Sequence, residues 1–332
     1  MYIVLIFKNN KNSMKHKNFK ITLLFLISLI FVMPSIVARA DSDFIKWVDF
    51  NIQAETLNKV YELDLKTHKD ANHCKFVEVL SYLAVQNGNR FSHSKDMSNL
   101  KKLLTRIEKG ETISEIAEGS KYYNYYKQAY SAIFAGYIGN YTDSKEINYG
   151  LKAYFPFARG YYYSGGDDFG NSRNYGFKRV HLGHDMFGMI GTPIIAVEEG
   201  IVTEFGWNRF GGWRIGIRSL DNLRYYYYAH LRKDKPFVQG LKKGSIIEAG
   251  QVVGYLGVTG YSFKENKNMR TRPHLHFGLQ LIFDKSQEDG NGEIWINVYN
   301  ICRFLAKNRA EVYKNSDTGD FVSTNLKKGI TL

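Results

Sequence analysis

The chain has 332 residues, of which 44% are hydrophobic and 23% are charged. This length allows two domains, and the composition is that of a globular protein, which excludes an intrinsically disordered chain. The formal net charge of +13 and the pI near 9.4 favour an anionic partner, such as an anionic wall polymer, a membrane surface or a nucleic acid. Cys74 and Cys302 are the two cysteines, so a disulfide-stapled fold and a four-cysteine zinc site are excluded, while their pairing stays open.

The N-terminus predicts export. A basic segment, MKHKNFK (14–20), precedes a run of thirteen apolar residues (21–33) and the sequence ARA (38–40), which fits a small-x-small cleavage site. This layout is that of a secretory signal peptide over residues 1–40. The run is shorter than the about 20 apolar residues of a membrane-spanning helix, and an uncleaved anchor over 21–37 is the alternative. We therefore expect a secreted or cell-wall-associated protein, for which nucleic acid is not an expected partner.

Residues 41–150 predict a helical domain. Apolar residues recur every three to four positions in 76–85 and 97–107, and proline is absent. His68, His73 and Cys74 lie close together in this region, but their spacing matches no zinc pattern. The domain is expected to pack against or position the rest of the chain, or to bind a wall or membrane partner. The polar segment YTDSKEINYG (141–150) predicts a linker.

Residues 151–305 predict a β domain, and 306–332 a C-terminal tail. Glycine becomes frequent, and apolar residues alternate with polar ones in short segments such as WRIGIRS (213–219). Asp221 and Asn222 then predict a hairpin turn into the next strand. The predicted class is therefore an α+β multidomain protein, in which a helical N-terminal domain precedes a mostly antiparallel β-sheet domain.

Two short segments concentrate metal-ligating side chains. In HLHFGLQLIF (274–283), strict alternation places His274 and His276 on the polar face of a strand, where both meet one cavity. In HLGHD (181–185), an extended backbone points His181 and Asp185 one way and His184 the other. His184 is therefore expected to play a packing or supporting role.

Such a set suits a catalytic zinc ion. Three ligands drawn from histidine and carboxylate, with a fourth position open to water, are the usual composition of that site. The ion lowers the pKa of bound water toward ~7 and polarises a carbonyl. The site also needs a proton shuttle and a group that stabilises an oxyanion, and His230 in YYYYAHLR is the candidate for this role.

The motifs HLGHD, YAHL and HLHF, in this order over about residues 150–305, resemble the lysostaphin-type (LytM-like) zinc endopeptidases of peptidoglycan. The resemblance implies a β-sheet domain with a groove across it and one Zn²⁺ per chain, bound by His181, Asp185 and His276. It implies His274 as general base and acid, and His230 as oxyanion stabiliser. The implied reaction is hydrolysis of a peptide bond in peptidoglycan stem peptides or cross-bridges. The alternatives are a non-catalytic wall-binding scaffold of the same fold and a zinc N-acetylmuramoyl-L-alanine amidase.

Two departures from the family pattern concern the groove. A basic segment (263–273) separates the glycine-rich run from H-x-H, and it either selects an anionic stem peptide or covers the site. Gly278 stands where the family commonly has Glu, which predicts altered groove polarity without loss of zinc. The candidate substrate contacts are basic, polar or aromatic side chains near the motifs: Arg173, Arg179, Asn208, Trp213, Tyr228, Lys264 and Arg270.

Overall fold

The structure is a computed structural model that describes residues 44–143, 146–174 and 178–329. The predicted signal peptide (1–40) and its alternative, the anchor over 21–37, lie outside these residues. The described residues belong to one compact unit. Among them, no helix combines the length and the apolar character that crossing a bilayer requires.

The N-terminal region is helical, as predicted. Leu57 and Val60 on the first helix and Val79 and Leu83 on the second are fully buried, because their spacing places them on faces that meet the core. The second helix ends at Gly88, whose φ of 58° lets its N–H reach the carbonyls of the last turn. The helices are α1 (Ala54–Thr67), α2 (Phe76–Asn87), α3 (His93–Ile107), α4 (Ile113–Ala117) and α5 (Tyr123–Phe134).

The segment 141–150, predicted to be a linker, instead forms most of an antiparallel hairpin between β1 (Ile138–Asp143) and β2 (Glu146–Leu151). Two of its polar side chains are bonded: the Tyr149 hydroxyl donates a hydrogen bond to the Asp64 carboxylate of α1 at 2.6 Å, and Asn148 donates to Asp143 within the hairpin at 2.7 Å. The polar composition of this segment therefore accompanies side-chain hydrogen bonds on a regular hairpin, and it does not indicate an irregular linker. The predicted tail also contains strands, and the last of them, β16 (Lys328–Gly329), pairs with β1.

The C-terminal region is built on a sheet whose strand pairs are all antiparallel, which confirms the predicted α+β class. The remaining elements in chain order are β3 (Ser172–Asn174), β4 (Lys178–Val180), β5 (His184–Phe187), β6 (Pro193–Ile195), β7 (Gly200–Asn208), β8 (Gly212–Ser219), β9 (Arg224–Ala229), β10 (Ile246–Ile247), β11 (Val252–Tyr255), β12 (His274–Leu281), β13 (Ile294–Ile296), α6 (Tyr299–Leu305), β14 (Val312–Lys314) and β15 (Phe321–Ser323). The sheet runs in the order β10-β7-β8-β9-β12-β13, and β5 also pairs with β12.

The helices and the sheet share one hydrophobic core. Phe134 at the end of α5 belongs to the same buried cluster as Tyr226 of β9 and Phe277 of β12. A buried ion pair reinforces the contact: Arg224 binds the Glu198 carboxylate at 2.8 and 2.9 Å and donates to the Ala132 carbonyl of α5 at 2.7 Å. The predicted domain boundary near residue 150 falls within β2, and the division into separate domains stays a prediction.

Both cysteines are buried and free. Burial raises the pKa of the Cys302 thiol well above its usual range, so the thiol stays protonated and unreactive. His73 binds Asp64 at 3.1 Å, and the His68 ring stacks on Tyr149 at 4.7 Å. These contacts give His68 and His73 structural partners within the helical region.

Candidate functional site

The register of the sheet brings the three motifs together. On one side of β12, His276 is paired with Asp185 of β5, and on the other side it is paired with Ala229 of β9. His230 directly follows Ala229, so the A-H-L motif ends beside H-x-H. Leu275, Phe277, Leu279 and Leu281 are fully buried on the opposite face of β12, which fixes the histidines on the polar face as alternation predicts.

His181, Asp185 and His276 converge on one point. The His181 Nε2 atom lies 3.0 Å from Asp185 Oδ1 and 2.9 Å from His276 Nδ1, and the last two atoms are 3.1 Å apart. Zinc–ligand bonds of about 2.0–2.1 Å place tetrahedral ligands about 3.3 Å from each other, so these spacings suit one ion. Within the ranges that the structure describes, this is the one group of three or more ligating side chains that meets.

Gly183 gives His276 its space. A Cβ at residue 183 would lie 2.7 Å from the imidazole ring of His276 and 2.8 Å from the Phe277 carbonyl oxygen. Real Cβ atoms do not approach other heavy atoms so closely, and a side chain here would displace the imidazole. The glycine between His181 and Asp185 is therefore needed for the position of the third ligand.

The electrostatics of the cluster require a positive charge among the three ligand atoms. Burial would lower the pKa of His181, but hydrogen bonds with Asp168 and Asp185 outweigh it and raise the pKa to about 9. Burial would raise the pKa of Asp185, yet its bonds to His181 and His276 hold it well below the usual range. Burial also lowers the pKa of His276, which keeps this imidazole neutral. A proton or a divalent cation therefore satisfies the cluster, and the donor set of two imidazoles and one carboxylate fits zinc.

Asp168 supports the cluster and was not identified from the sequence. Its backbone carbonyl accepts from His181 Nδ1 at 3.0 Å, which leaves Nε2 as the ligand atom. Its carboxylate lies 3.1 Å from His184 Nδ1, so His184 has the supporting role that alternation suggested. The two adjacent aspartates in GGDDFG offered a weak signal, but nothing in their spacing from HLGHD indicated the contact.

Arg173 was predicted to contact substrate, but the structure places it on the cluster itself. Its Nη2 atom lies 2.8 Å from Asp168 Oδ2 and 3.1 Å from Asp185 Oδ2. The guanidinium thereby holds the outer oxygen of Asp185 while Oδ1 faces the two histidines. Arg173 therefore positions Asp185 so that the carboxylate offers a single oxygen atom, Oδ1, as a ligand.

His274 and His230 form a pair beside the cluster. His274 Nδ1 donates to the Arg272 carbonyl at 2.7 Å, and His230 Nδ1 donates to the Thr259 carbonyl at 2.8 Å. Each imidazole therefore keeps an Nε2 lone pair for the site, and His274 Nε2 lies 4.0 Å from Asp185 Oδ1. The ring centroids of the pair are 4.8 Å apart. Burial holds the pKa of His230 well below its usual value, so His230 is neutral in this arrangement.

Two cavities meet at the cluster. The inner cavity, of about 20 Å³, is lined by the five predicted metal and catalytic residues together with Arg173, Arg179, Tyr261 and Met269. The outer groove, of about 640 Å³, runs from His181 and His276 across the polar face of the sheet. Tyr227 is paired with Gly278 and Tyr225 with Gln280, so the groove follows β12 away from the cluster. This arrangement suits an extended chain that crosses the cluster.

Tyr228 and Trp213 do not line the groove, contrary to prediction. Tyr228 is fully buried, and its hydroxyl accepts from the Val197 N–H at 3.0 Å, because it lies on the opposite face of β9 from Tyr225 and Tyr227. Trp213 is half-buried on the core face of β8, where it packs against Phe237. Trp213 and Tyr228 were assigned to the groove, but both lie on the core faces of their strands.

The other predicted contacts have different positions. Asn208 closes the turn between β7 and β8, where its Oδ1 accepts from Phe210 and Gly211 N–H groups at 3.0 and 2.6 Å. Lys264 and Arg270 are exposed and line neither cavity. Arg179 lines both cavities.

The basic segment 263–273 is tied to the sheet domain. Asn266 Oδ1 accepts from Trp213 Nε1 at 2.9 Å, and the Met269 N–H bonds to the Val258 carbonyl at 2.8 Å. Gly278 stands where the family commonly has Glu, and the Trp295 ring occupies the space that a side chain would need. A Cβ at residue 278 would lie 2.8 Å from this ring. A glutamate at this position would require Trp295 to move.

Comparison with known proteins agrees with this site. The sequence model described as peptidase family M23 matches residues 179–289. The chain is similar to the L-Ala–D-Glu endopeptidase of Bacillus subtilis (strain 168), with 38% identity over 158 residues, which cover 47% of each protein. It is also similar to lysostaphin of Staphylococcus simulans, with 39% identity over 99 residues, covering 30% of this chain and 17% of lysostaphin. The chain thus spans about half or less of these curated relatives.

A solved structure extends the likeness beyond the matched domain. A protein from Ruminococcus gnavus ATCC 29149, described as a glycyl-glycine endopeptidase lytM, superposes with a TM-score of 0.51 and 25% identity. The likeness covers 75% of this chain and 88% of that protein, so it includes helical residues as well as the sheet. Together with the three histidine motifs and their convergence on one point, these matches confirm the resemblance: residues 179–289 match peptidase family M23, and the chain is similar to lysostaphin over 99 residues.

Proposed function

We propose that the protein is a secreted, zinc-dependent endopeptidase that hydrolyses peptide bonds in peptidoglycan. The observation that carries this proposal is the convergence of His181, Asp185 and His276 within 3.1 Å of one another. The relatives named as endopeptidases support the reaction class, and one of them is named for the L-Ala–D-Glu bond. Secretion is proposed from the signal-like sequence of residues 1–40.

The ligands define what the ion supplies. Zinc bound by His181, Asp185 and His276 would act as a Lewis acid that polarises a carbonyl group and makes a water molecule acidic. Arg173 keeps Asp185 oriented, and the Asp168 carbonyl keeps His181 in the tautomer with a free Nε2. These supports hold the ligand geometry before substrate arrives, which is the condition for electrostatic catalysis.

In this proposal, His274 transfers the proton. Its Nδ1–H is held by the Arg272 carbonyl, so its Nε2 accepts a proton from the attacking water and later donates it to the leaving amine. His230 has the same tautomer, since its Nδ1–H is held by the Thr259 carbonyl. Neutral His230 therefore accepts and does not donate at Nε2. His230 can donate a hydrogen bond to an oxyanion only when its Nε2 carries a proton. We propose that His274 and His230 share the proton that is taken from the attacking water.

The proposal is tested on the purified full chain with defined peptidoglycan fragments, with and without a chelator. Mass spectrometry should show new peptide termini that disappear with the chelator and return with added zinc. His276→Ala should abolish both cleavage and stoichiometric zinc, whereas His93→Ala, which changes an exposed histidine of α3, should alter neither.

Two other outcomes would contradict the endopeptidase proposal. Release of intact stem peptides from muramic acid would identify an amidase. Binding to wall fragments without cleavage in the zinc-loaded chain would identify a scaffold. Secretion is tested separately by the N-terminus of the protein recovered from the culture medium and from the cell membranes. A released chain that starts near Asp41 supports the signal peptide, and a membrane-bound chain that retains residues 21–37 supports the anchor.

A further inference from the structure

Within the proposed endopeptidase function, on which this inference rests, we propose that Arg179 determines specificity. It binds a free carboxylate on the substrate residue whose nitrogen belongs to the cleaved peptide bond. The preferred substrate is therefore an acidic stem peptide, and an uncharged glycine cross-bridge lacks the recognised group. Amidation of that carboxylate in the substrate removes the contact.

The position of Arg179 carries the argument. Three residues line both the inner cavity and the outer groove: Arg179, His181 and His276. Two of these are ligands of the metal cluster, so the third lies where a substrate passes from the groove to the reacting centre. Arg179 belongs to β4 and precedes His181 by two residues, and its side chain is half-buried. A group bound by Arg179 is therefore next to the bond that the cluster would cleave.

The guanidinium of Arg179 is held in place by an aromatic ring. Its carbon Cζ lies 4.9 Å over the centre of the Tyr261 ring, which in turn stacks on His230 at 6.0 Å. Stacking uses the face of a guanidinium, whereas a carboxylate binds at its edge through two parallel hydrogen bonds. A stacked arginine loses little freedom when it binds an anion, which favours recognition of a planar carboxylate over a point charge.

Three other arginines near the cluster and the groove lie at different positions and contact carboxylates of the protein. Arg173 contacts Asp168 and Asp185, and Arg218 contacts Glu288 at 2.8 Å. Arg214 is paired with Glu204 on the groove wall. These ion pairs keep their guanidinium groups in fixed geometries. Arg218 is also far from the cluster: its strand register matches Gln280 of β12, which is four residues from His276. At about 3.3 Å per strand residue this is about 13 Å from the cluster.

The chemistry of the substrate supplies the matching group. In an L-Ala–D-Glu bond, the D-Glu nitrogen is the leaving amine, and its α-carbon carries a free carboxylate when the chain continues through the γ-carboxyl. In a glycyl-glycine bond, the corresponding α-carbon carries no charged group beyond the main chain. A charge-assisted bidentate contact with Arg179 therefore favours cleavage of the L-Ala–D-Glu bond over the glycyl-glycine bond. The same contact favours D-Glu over its amidated form, D-isoglutamine.

The experiment compares two synthetic stem peptides that differ only in the α-carboxylate or α-carboxamide of the second residue. The zinc-loaded full chain should cleave the carboxylate peptide with kcat/KM roughly tenfold to a hundredfold higher, the range for a hydrogen bond to a charged group. Arg179→Met should lose this preference by raising KM for the carboxylate peptide alone, and Arg179→Lys should retain part of it. Zinc content should be unchanged in both variants.

Arg209→Met is the matched control. Arg209 is exposed, lies over the Phe210 and Phe263 rings at 4.3 and 5.2 Å and lines neither cavity, so its loss removes the same charge without touching the contact. Equal cleavage of both peptides by the unaltered chain, or an undiminished preference in Arg179→Met, would overturn the role of Arg179.

A binding measurement separates this inference from the endopeptidase proposal. The two product peptides, which begin with D-Glu or D-isoglutamine, are titrated into the full chain and into Arg179→Met. The carboxylate contact is supported if the unaltered chain binds the D-Glu product more tightly than the D-isoglutamine product and Arg179→Met does not. This result would hold even if neither parent peptide were cleaved and the endopeptidase proposal failed. Cleavage of both peptides with equal product binding would retain the endopeptidase and reject the contact.

Discussion

The backbone carbonyl of Asp168 lies 3.0 Å from Nδ1 of His181, and the Asp168 carboxylate approaches the same nitrogen at 3.2 Å. One residue thus fixes the tautomer of a metal ligand and places a negative charge behind it. A ligating imidazole whose other nitrogen donates to an oxygen is a stronger ligand. Asp168 therefore contributes to metal affinity without facing the ion.

Asp168→Ala keeps the backbone carbonyl but removes the carboxylate behind His181. We expect this change to lower zinc affinity by roughly tenfold to a hundredfold, the usual cost of losing a group that supports a ligand. The change also removes the partners of His184 and Arg173. Competition with a chromogenic chelator measures the affinity. Asp167→Ala is the control, because this neighbouring carboxylate contacts Asn297 at 3.1 Å and leaves the cluster intact. Equal affinities in the two variants would contradict the role of Asp168.

Zinc binding is expected to release about one proton near pH 7.5. In the metal-free chain, hydrogen bonds with Asp168 and Asp185 overcome burial and raise the pKa of His181 to about 9, so this imidazole is protonated below that pH. The pKa of His276 is lowered by burial, and that of Asp185 is lowered by its histidine partners, so neither holds a proton to release. Zinc affinity should therefore fall about tenfold for each pH unit from about 9 to about 7.

Calorimetry of zinc binding in buffers with different ionisation enthalpies counts the protons released. His184→Gln serves as a comparison because His184 bonds to Asp168 but is not a ligand. Its proton count should remain about one. Release of two protons would show that His276 is also protonated in the metal-free chain, and release of none would show that His181 is neutral there.

Much of the site was predictable because it lies on regular strands. Alternation in β12 placed His274 and His276 opposite the buried leucines, and the structure has this arrangement. Alternation did not show which face of β9 meets the groove, because that depends on how β9 pairs with β8 and β12.

Asp168 and the hairpin at residues 138–151 were missed for different physical reasons. Asp168 lies in a glycine-rich loop without periodicity, and only the tertiary fold brings it to His181 and His184. The hairpin contains polar residues that suggest a linker, yet Tyr149 among them bonds to Asp64 of α1, a contact between residues 85 positions apart. Contacts between residues far apart in sequence leave no local pattern.

Gly183→Ala is expected to remove most zinc binding. The new Cβ would lie 2.7 Å from the His276 ring and 2.8 Å from the Phe277 carbonyl, so the imidazole has to leave its position. Gly166→Ala is the matched control, since a Cβ there meets nothing within 4 Å. Zinc stoichiometry and the melting temperature of the metal-free chain should be measured together. Loss of zinc at an unchanged melting temperature identifies a local effect, whereas unchanged zinc binding would refute the steric role of Gly183.

The buried pair of Arg224 and Glu198 is expected to hold the helices on the sheet. Arg224→Met would leave Glu198 without its cation in a buried position and would free the Ala132 carbonyl, which lowers the free energy of unfolding by about 3–5 kcal/mol. Arg159→Met, which breaks an exposed pair with Glu311, should leave stability unchanged within error. Urea unfolding of the full chain measures both.

The double variant Arg224→Met/Glu198→Gln decides whether the loss comes from the uncompensated charge. Replacing the carboxylate with a neutral amide keeps an acceptor for the Tyr226 hydroxyl, which bonds to Glu198 at 2.5 Å. Stability should then recover by more than half of the loss caused by Arg224→Met, because the buried charge is the larger cost. No recovery would mean that the bond from Arg224 to the Ala132 carbonyl, between α5 and the sheet, accounts for the stabilisation instead.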